Sequence, residues 1–466
     1  MIGSGAVSMA FVDTMLDETD MNFIIIDRHH LPGGHWNDAY PFVRLHQPSA
    51  FYGVASTELG SNRIDEAGPN KGLYELASGA EVSAYFDKVM RERFLPSGRV
   101  QYFPMCDYLG DGRFRSLLSP AEYSVSIRKK TVDGTFFKTS VPSTHVKKFE
   151  VAAGVNCIPP NDLPRFAAGY EHFTILGGGK TAMDTGVWLL GAGANPDAIT
   201  WVCPRDSWLV NRQTTQPGAA FFEQTIGGFA KQLDAMKAAT SVDDLFARLE
   251  SADIMMRIDP SVQPSMFHYA TSSRGEVEQL RRIRNVVRQG HVSHIGADVL
   301  TMKNGETVPA NNNTLYIDCT ATAVQFVGSK SEPVFSGDHI TIQALRAPLV
   351  TTSAALTAFC EANFDDEAEK NAICVPIGIS DTPAEWIHAF LANMMNLNNW
   401  SQIPNLRDWL AQCRLNPARP MPNDAESNDP ANAAIKESIG RDMGPAMANL
   451  KKLLVDASSD AETCQR

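Results

Sequence analysis

With 466 residues, the chain is too long for one ordinary hydrophobic core, and its length predicts roughly two to four domains. Apolar residues make up 44% of the chain and charged residues 20%, as in globular proteins that fold in water. The formal net charge of −12 argues against nucleic acid as a partner, because binding to a phosphate backbone needs a basic surface.

Eight cysteines are scattered along the chain, and no two of them form a C-x-x-C pair. This spacing argues against the local dithiol of a disulfide reductase and against an ordinary zinc ribbon, so we predict no metal site. The sequence contains neither a signal-peptide pattern nor the ~20 uncharged apolar residues that a membrane helix needs. We therefore expect a soluble, cytoplasmic protein that does not bind a membrane.

A glycine-rich turn, GSGAVS at residues 3–8, opens the chain. Residues 5–19 have the apolar spacing of a helix, and the run NFIIID that follows has the length of a buried strand and ends in Asp27. A turn of this kind, followed by a helix, a strand and an acid about 20 residues on, is typical of a dinucleotide-binding fold. The pattern predicts a cofactor diphosphate at the start of this helix.

Each position of this turn has a mechanical role in the prediction. Gly3 permits the tight turn, and Gly5 lets the backbone approach the diphosphate. Ser8 replaces the third glycine of the pattern and is small enough for close packing of the helix on the strand. Asp27 is expected to accept hydrogen bonds from both hydroxyls of the adenosine ribose.

Only Met1 and Ile2 precede this turn, whereas the first strand of such a fold lies in the middle of the sheet. The loss of about four residues would leave several backbone groups unpaired, at about 1 kcal/mol each. That sum is large beside a total stability of about 5–15 kcal/mol. Either the sheet tolerates a stub, or the sequence starts downstream of the true start, and we favour the second interpretation.

A second and more complete pattern is HFTILGGGKTAMDTGVW at residues 172–188. An apolar strand precedes this turn, a helix follows it, and ITWVC at 199–203 forms the next strand. Two such turns about 175 residues apart are far more specific than either one alone. The pattern predicts a second dinucleotide site at four residues: Gly177, Gly179, Lys180 and Thr181.

The strand at 199–203 is followed by Arg205 and Asp206. An arginine at this position can pair with the 2′-phosphate of NADP, which favours NADP over NAD. Arg212 is a second candidate for this contact, and the adjacent Asp206 weakens the interpretation. The side chain of Lys180 either reaches the diphosphate or projects into solvent.

The loop after Asp27 contains GGHW at residues 33–36 and then Tyr40-Pro41. Taken together with the two glycine turns, this loop makes the sequence resemble the flavoprotein superfamily with two dinucleotide-binding domains. The resemblance is greatest to the class B flavin monooxygenases. That group includes flavin-containing monooxygenases, N-hydroxylases and Baeyer–Villiger enzymes. The glycine and acid that tend to follow Tyr-Pro in Baeyer–Villiger enzymes are missing, as is their Phe-x-Gly-x-x-x-His fingerprint, so we do not predict that chemistry.

The resemblance implies that FAD binds at the first turn and NADPH at the second. It implies that Gly34 and Trp36 run along the flavin, and that NNTLYIDCTATAV brings the chain back to FAD through Asp318 and Ala321. The polar side chains expected to line the reaction face, as candidate catalytic groups, are Arg44, His46 and Gln47.

The fold class that follows is α/β, with two Rossmann-like dinucleotide-binding domains, the first discontinuous and the second inserted into it and carrying a helical insertion at about 217–300. We expect a hairpin with Asp133-Gly134 as its turn, and WSQIPNLRDWLAQCRL as an amphipathic helix that packs back on the first domain. The expected order is 1–165 for FAD, 166–309 for NAD(P), 310–415 for FAD, then 416–466 as a linker and a peripheral C-terminal helix.

The function expected from these parts is an FAD-dependent NAD(P)H oxidoreductase acting on a small-molecule substrate. The resemblance implies a monooxygenase that uses dioxygen and a hydroperoxyflavin. Two alternatives stay open: a flavin reductase or oxidase that inserts no oxygen, and a non-catalytic flavin-fold binding protein. The assembly state is also open, with a homodimer as the candidate.

Overall fold

The computed structural model describes residues 1–311, 313–322, 332–419, 421 and 429–464, with side chains described up to residue 456. Within these ranges, no helix combines the length and the apolar character that a membrane crossing requires. Twelve α-helices lie in the same ranges: α1 (Ala6–Glu18), α2 (Gly79–Val89), α3 (Leu163–Phe166), α4 (Lys180–Gly191), α5 (Gly228–Ala238), α6 (Val242–Ser251), α7 (Arg274–Leu280), α8 (Val350–Asn363), α9 (Glu367–Ile373), α10 (Pro383–Ser401), α11 (Pro404–Gln412) and α12 (Pro430–Cys464).

The strands of the described residues are short, and half of them belong to one of two α/β units, while the others form three smaller sheets. They are β1 (Phe23–Ile26), β2 (Val100–Phe103), β3 (Cys106–Gly110), β4 (Arg113–Ser116), β5 (Glu122–Ser124), β6 (Thr131–Asp133), β7 (Glu150–Val151), β8 (Cys157–Ile158), β9 (His172–Leu176), β10 (Ile199–Val202), β11 (Ser207–Asn211), β12 (Met255–Met256), β13 (Met266–Ser272), β14 (Asn285–Val287), β15 (Val292–Ile295), β16 (Val299–Met302), β17 (Thr307–Pro309), β18 (Thr314–Asp318), β19 (Phe335–Ser336) and β20 (His339–Thr341).

The first unit is a mostly parallel sheet whose central position is filled by the residues just ahead of the first glycine turn. Ile2 forms parallel bridges to Ile26 in β1 and to Asp133 in β6. The Ile2 N–H donates to Val132 O at 2.8 Å, and the Gly3 N–H donates to Ile26 O at 2.8 Å. The sheet order is therefore β2-β1-Ile2-β6-β20-β19, and Ile2 pairs on both sides.

The expected hairpin around Asp133-Gly134 is wrong. β5 pairs with β4 in a small antiparallel sheet, whereas β6 lies beside Ile2 in the first unit. The alternating pattern of these runs identifies strands, but it does not identify the strand with which each one pairs.

Helices α1 and α8 pack together in the core of the first unit. Three alanines of α8, Ala354, Ala355 and Ala358, are fully buried there, and their small side chains allow close packing. The expectation that 400–415 packs back on this unit is confirmed, because Leu406 and Leu415 belong to the same core.

The second unit is a five-stranded parallel sheet in the order β14-β10-β9-β18-β8. β9 lies at its centre, and α4 connects it to β10 on one side, which is the doubly wound arrangement of a Rossmann-like domain. The α/β fold class with two Rossmann-like units is thus confirmed. The expected boundaries at 165 and 310 differ from the sheet, because β8 and β18 both pair within the second unit.

The insertion expected to be helical over about 217–300 is only partly helical: it contains α5, α6 and the short α7. In the same range, β12 and β13 form a three-stranded sheet with β11, and β14 forms the edge of the second unit. The charged run RRIRNVVRQ therefore leads into a strand and does not continue α7 as a helix.

The C-terminal helix α12 is packed rather than peripheral. Ala446, Leu450 and Leu453 share a core with residues of α5, α6 and α10. Residues 420 and 422–428 of the expected linker lie outside the described residues.

Arg414 follows α11 and ties the C-terminal end of the first unit to the loop at 50–54. Its buried guanidinium donates to Ala50 O at 2.6 Å, to Tyr52 O at 2.8 Å and also to Val54 O. Three loop carbonyls thus depend on one side chain for their hydrogen bonds.

We expect Arg414→Met to lower the free energy of unfolding by about 3 kcal/mol, because the buried carbonyls lose their donors. Arg407→Met is the matched control, since Arg407 is exposed and its ion pair within the described part of the chain is with the neighbouring Asp408, and we expect a change below about 0.5 kcal/mol. Urea unfolding measures both, and equal midpoints for the two variants would contradict the structural role of Arg414.

Candidate functional site

The first glycine turn is built mainly from backbone. Gly3 has a φ of +87°, which favours glycine, and α1 begins directly after Gly5. The Gly33 N–H donates to Ser4 O at 2.9 Å, and a Cβ on Gly34 would lie 3.0 Å from the Gly5 Cα. The missing side chains let the GGHW loop lie against the turn, so backbone forms the wall beside the start of α1.

Ser8 lies on the packed side of α1. A Cβ on Gly134 would come within 2.0 Å of the Ser8 Oγ, so the hydroxyl occupies the space that this glycine leaves. The oxygen is buried and has no hydrogen-bond partner among the described residues. Ser8 therefore contributes close packing between α1 and β6.

The carboxylate of Asp27 points back into the first turn. One oxygen accepts from the Ser4 N–H at 2.5 Å and from Ser4 Oγ at 2.9 Å. The other accepts from the His29 N–H at 2.7 Å and lies 3.0 Å from His29 Nδ1. Burial raises the pKa of Asp27, but the hydrogen bonds from His29 and Ser4 outweigh it and leave the pKa below its ordinary value.

His29 lies between two carboxylates. Its Nδ1 faces Asp27, and its Nε2 lies 2.8 Å from Asp38 Oδ2. The hydrogen bond to Asp27 is the largest cause that raises the pKa of His29 from 6.5 to about 9, with Asp38 adding to it against the effect of burial. The imidazole is therefore a cation at neutral pH, and it holds Asp27 in place.

Trp36 in the GGHW loop is half-buried. Its indole N–H donates to Tyr52 OH at 2.8 Å, and His35 stacks on it with ring centroids 5.3 Å apart. These contacts fix the plane of the indole.

At the second glycine turn, two of the three glycines lie close to backbone of other segments, and the third has open space beside it. A Cβ on Gly177 would lie 2.7 Å from Cys319 O, and a Cβ on Gly178 would lie 2.6 Å from Arg205 O. A Cβ on Gly179, the residue before α4, would meet nothing within 4 Å. The residue before α4 therefore has open space on the side where its side chain would lie, which is compatible with an anion at this helix N-terminus.

The side chain of Lys180 lies along α4 instead of projecting into solvent. It pairs with Asp184 one turn on and lies 3.8 Å from Glu276. The Tyr40 hydroxyl donates to Asp184 Oδ2 at 2.7 Å and is also hydrogen-bonded to the Thr181 side chain. Lys180 and Thr181 thus face a loop of the first unit.

Arg205 pairs with Asp381 through two hydrogen bonds of 2.9 and 3.0 Å. Its neighbour Asp206 is held by Arg288 at 2.8 Å. The second candidate for a 2′-phosphate contact, Arg212, is fully buried. Its guanidinium is directed at groups inside the protein, so that interpretation of Arg212 is wrong.

Asp318 is the last residue of β18, where it pairs with Leu176 at the end of β9, and Ala321 follows the strand, so both lie near the second glycine turn. Asp318 accepts from Thr320 N at 3.0 Å and lies 2.9 Å from His145 Nε2. The expectation that this strand returns the chain to the first unit at these two residues therefore differs from the sheet pairing.

A cavity of about 490 Å³ lies between the two units. Phe42 and Trp188 form an aromatic wall with ring centroids 5.2 Å apart. The lining residues come from the loops at 41–45 and 65–78 of the first unit, from one side of α4, and from α7: Pro41, Phe42, Val43, Arg44, Leu45, Asp65, Ala67, Gly68, Pro69, Asn70, Leu76, Ser78, Lys180, Asp184, Val187, Trp188 and Glu276. Its volume suits a small molecule.

Of the three candidate catalytic residues, only Arg44 lines this cavity. Its guanidinium donates to Leu76 O at 2.8 Å. Burial, with the charges of Lys180 and Arg212, lowers the pKa of His46 to about 3, so this imidazole is neutral at pH 7. Gln47 is half-buried in the same loop and does not line the cavity.

Several residues that shape the site were not expected from the sequence, above all Tyr40, Asp184 and Glu276. Asp184 and Lys180 are spaced i and i+4, a signal for a helix pair, but Glu276 is joined to them only by the fold. Burial raises the pKa of Glu276, but Lys180 and Arg212 outweigh it and bring the pKa to about 2. Among the described residues, no group of three or more His, Cys, Asp or Glu could hold a metal ion.

We expect the His29 imidazole to titrate near pH 9 in the folded chain, as followed by NMR. Because this pKa lies above the ordinary 6.5, the stabilisation is complete below pH 6.5 and is lost as the pH rises through 9. Its size, reduced for partial exposure, is about 1–2 kcal/mol. His29→Gln should remove this part of the pH dependence of unfolding. A titration midpoint of the His29 imidazole below pH 7 would contradict its placement between the carboxylates of Asp27 and Asp38.

Comparison with known proteins gives relatives by sequence and neighbours by structure. No family model matches the chain. Among solved structures, the closed structure of cyclohexanone monooxygenase has a TM-score of 0.46 at 12% identity, covering 95% of this chain and 96% of that one. Tmm from Pelagibacter sp. strain HTCC7211 has a TM-score of 0.45 at 10% identity, covering 88% of this chain and 89% of that one. A flavin-containing monooxygenase from Stenotrophomonas maltophilia has a TM-score of 0.41 at 14% identity, covering 80% and 98%.

The relatives by sequence are mycobacterial. "Uncharacterized protein Rv2000" of Mycobacterium tuberculosis H37Rv and "Uncharacterized protein Mb2023" of Mycobacterium bovis are each 45% identical over 462 residues. Each alignment covers 99% of this chain and 85% of the relative. At this identity and coverage, the chain belongs to the same family as these mycobacterial proteins.

Proposed function

We propose that this chain is an NAD(P)H-dependent flavoprotein oxidoreductase, with FAD at the first glycine turn and NADP at the second. One observation carries the proposal. Two Rossmann-like units each have a glycine turn at the start of a buried helix, and they meet around one cavity. That combination is what transfer of electrons between two nucleotides requires.

The residues of the first turn fit the ADP part of FAD. Gly5 and Gly34 bring backbone against backbone at the start of α1, where a Cβ on Gly5 would lie 3.7 Å from the Gly34 Cα. Asp27 follows the strand next to the turn, as a ribose contact should, although Ser4 and His29 already donate to its carboxylate. A bound ribose would share this carboxylate with them.

The residues of the second turn fit a nicotinamide dinucleotide. The open space at Gly179 and the free start of α4 support a diphosphate there. The backbone of Arg205 lies against this turn at Gly178, and its guanidinium is the cation we propose for a 2′-phosphate, so we retain NADP as the proposed nucleotide.

Bound together, these cofactors supply two-electron transfer from a nicotinamide to an acceptor by way of a flavin. The chain itself binds and orients the nucleotides and the substrate. The apolar and aromatic walls of the cavity exclude water from a bound molecule, and Arg44 offers a cation at its wall. His46 is neutral, so it cannot act there as a cationic group.

We extend the proposal to a monooxygenase that uses dioxygen on a small nucleophilic substrate such as an amine or a sulfide. The resemblance of the GGHW loop and the size of the cavity support this finer assignment. The alternative is a reductase or oxidase with the same cofactors, which releases peroxide and inserts no oxygen.

We expect Gly179→Ala to fold normally and to weaken NADPH binding about tenfold or more, because its methyl group enters the space proposed for the diphosphate. Gly191→Ala at the other end of α4 is the matched control, since its methyl group also meets nothing within 4 Å. Nucleotide titration and thermal melting measure both variants. Equal affinity in the two variants would contradict the second site.

Peroxide released per NADPH consumed separates the two finer assignments. For a monooxygenase, we expect the yield to fall well below one when an accepted amine or sulfide is added, with an oxygen atom in the product. A yield that stays at about one with every substrate would indicate the oxidase instead. The purified protein should first show a flavin absorbance that NADPH bleaches without oxygen, and its absence would contradict the whole proposal.

A further inference from the structure

Arg205 and Asp381 form an ion pair at the edge of the second glycine turn. The guanidinium faces the carboxylate in a two-pronged arrangement, with NH1 to Oδ2 at 2.9 Å and NH2 to Oδ1 at 3.0 Å. The side chain of Arg205 is 42% exposed and that of Asp381 is 29% exposed, so a ligand can reach the pair from solvent.

The position of this pair matters because of the backbone around it. Arg205 lies three residues beyond β10, and its carbonyl oxygen is so close to the turn that a Cβ on Gly178 would come within 2.6 Å of it. In a doubly wound sheet, the end of the second strand is where the adenosine ribose lies. Arg205, which holds the ion pair with Asp381, therefore lies at the strand end where the ribose of a bound dinucleotide is expected.

The nearby cation Arg288 is already paired with two carboxylates, so Arg205 is the cation that we consider for the phosphate. Arg288 is held by Asp206 at 2.8 Å and by Asp259 at 3.1 Å. These two carboxylates also place negative charge beside the site, which disfavours a phosphate unless a cation turns toward it.

We propose that Asp381 is a specificity-determining residue of the second dinucleotide site, because its carboxylate competes with the 2′-phosphate of NADPH for Arg205. NADH, which lacks this phosphate, leaves the ion pair intact. This inference rests on the proposed binding of a nicotinamide dinucleotide at the second turn.

The contacts of Asp381 indicate which partner moves during the exchange. Its carbonyl oxygen accepts from the Phe267 N–H at 2.9 Å, and its N–H donates to Glu385 Oε2 at 2.6 Å. Its carboxylate also lies 2.5 Å from His268 Nε2. Asp381 is thus held by three other groups, and Arg205 is the side chain that leaves, while His268 remains as a partner for the carboxylate.

Titration of the full chain with NADPH and with NADH tests the inference. We expect Asp381→Asn to tighten NADPH about three- to fivefold, which is the range of a partly exposed ion pair, and to leave NADH unchanged. Arg205→Met should weaken NADPH and leave NADH unchanged. Asp253→Asn is the matched control, because it removes the partner of Arg274 on the surface of the same unit, and it should change neither affinity.

Weaker NADPH binding in Asp381→Asn would overturn the inference, because Asp381 would then orient Arg205 for the phosphate. An equal change for both nucleotides, or no change in their ratio, would also overturn it while leaving the proposed function intact. Failure of every variant and of the natural chain to bind either nucleotide would reject the proposed function, and the inference with it. Asp381→Ser, checked by thermal melting, repeats the test if Asp381→Asn does not fold.

Discussion

The fully buried guanidinium of Arg212 joins the two units, and the cavity depends on it. From the second unit it donates to His46 O at 2.9 Å and to Asn70 Oδ1 at 3.0 Å, both in the first unit. It also pairs with Glu276 at 2.8 Å. Removing one partner of such a buried pair costs about 3–5 kcal/mol, because the other charge stays buried and unpaired.

Further contacts between the two units position the loops of the cavity wall. The loops at 41–45 and 65–78 contain little regular structure, and they reach the second unit through a few specific contacts. Ser273 Oγ donates to Pro69 O at 2.7 Å, and Tyr40 reaches Asp184 on α4. The loops are thus positioned by the neighbouring unit, so the cavity exists only when both units are folded and in contact.

The sequence was sufficient for the two Rossmann-like units, since each glycine turn was followed by a helix and a strand of the right lengths. It was not sufficient for pairing between distant strands. The predicted boundaries place β18 and β8 in the first unit, whereas both lie in the sheet of the second unit. The apolar pattern of a strand does not specify which other strands pair with it. Arg212 was misinterpreted for a related reason: an arginine in a loop pattern shows no sign that tertiary contacts will bury it.

Among the residues of the candidate site, some could be predicted from the sequence and others could not. Glycines that must lie near backbone were recognisable because close approach limits the residue type, as at Gly178 against Arg205 O. The partners of charged side chains were not recognisable. Asp381 lies 176 residues from Arg205, and no local spacing connects them.

The contact between Ser8 and Gly134 has a consequence for how sequences in this family can vary. Ser8, at the third position of the first turn, has room for its hydroxyl because Gly134 opposite it has no side chain. The packing therefore limits the combined volume of the side chains at 8 and 134, and not the size of either one alone. A relative with glycine in place of Ser8 has room for alanine or serine in place of Gly134. Substitutions at these two places should therefore be correlated, although 126 positions separate them in the chain.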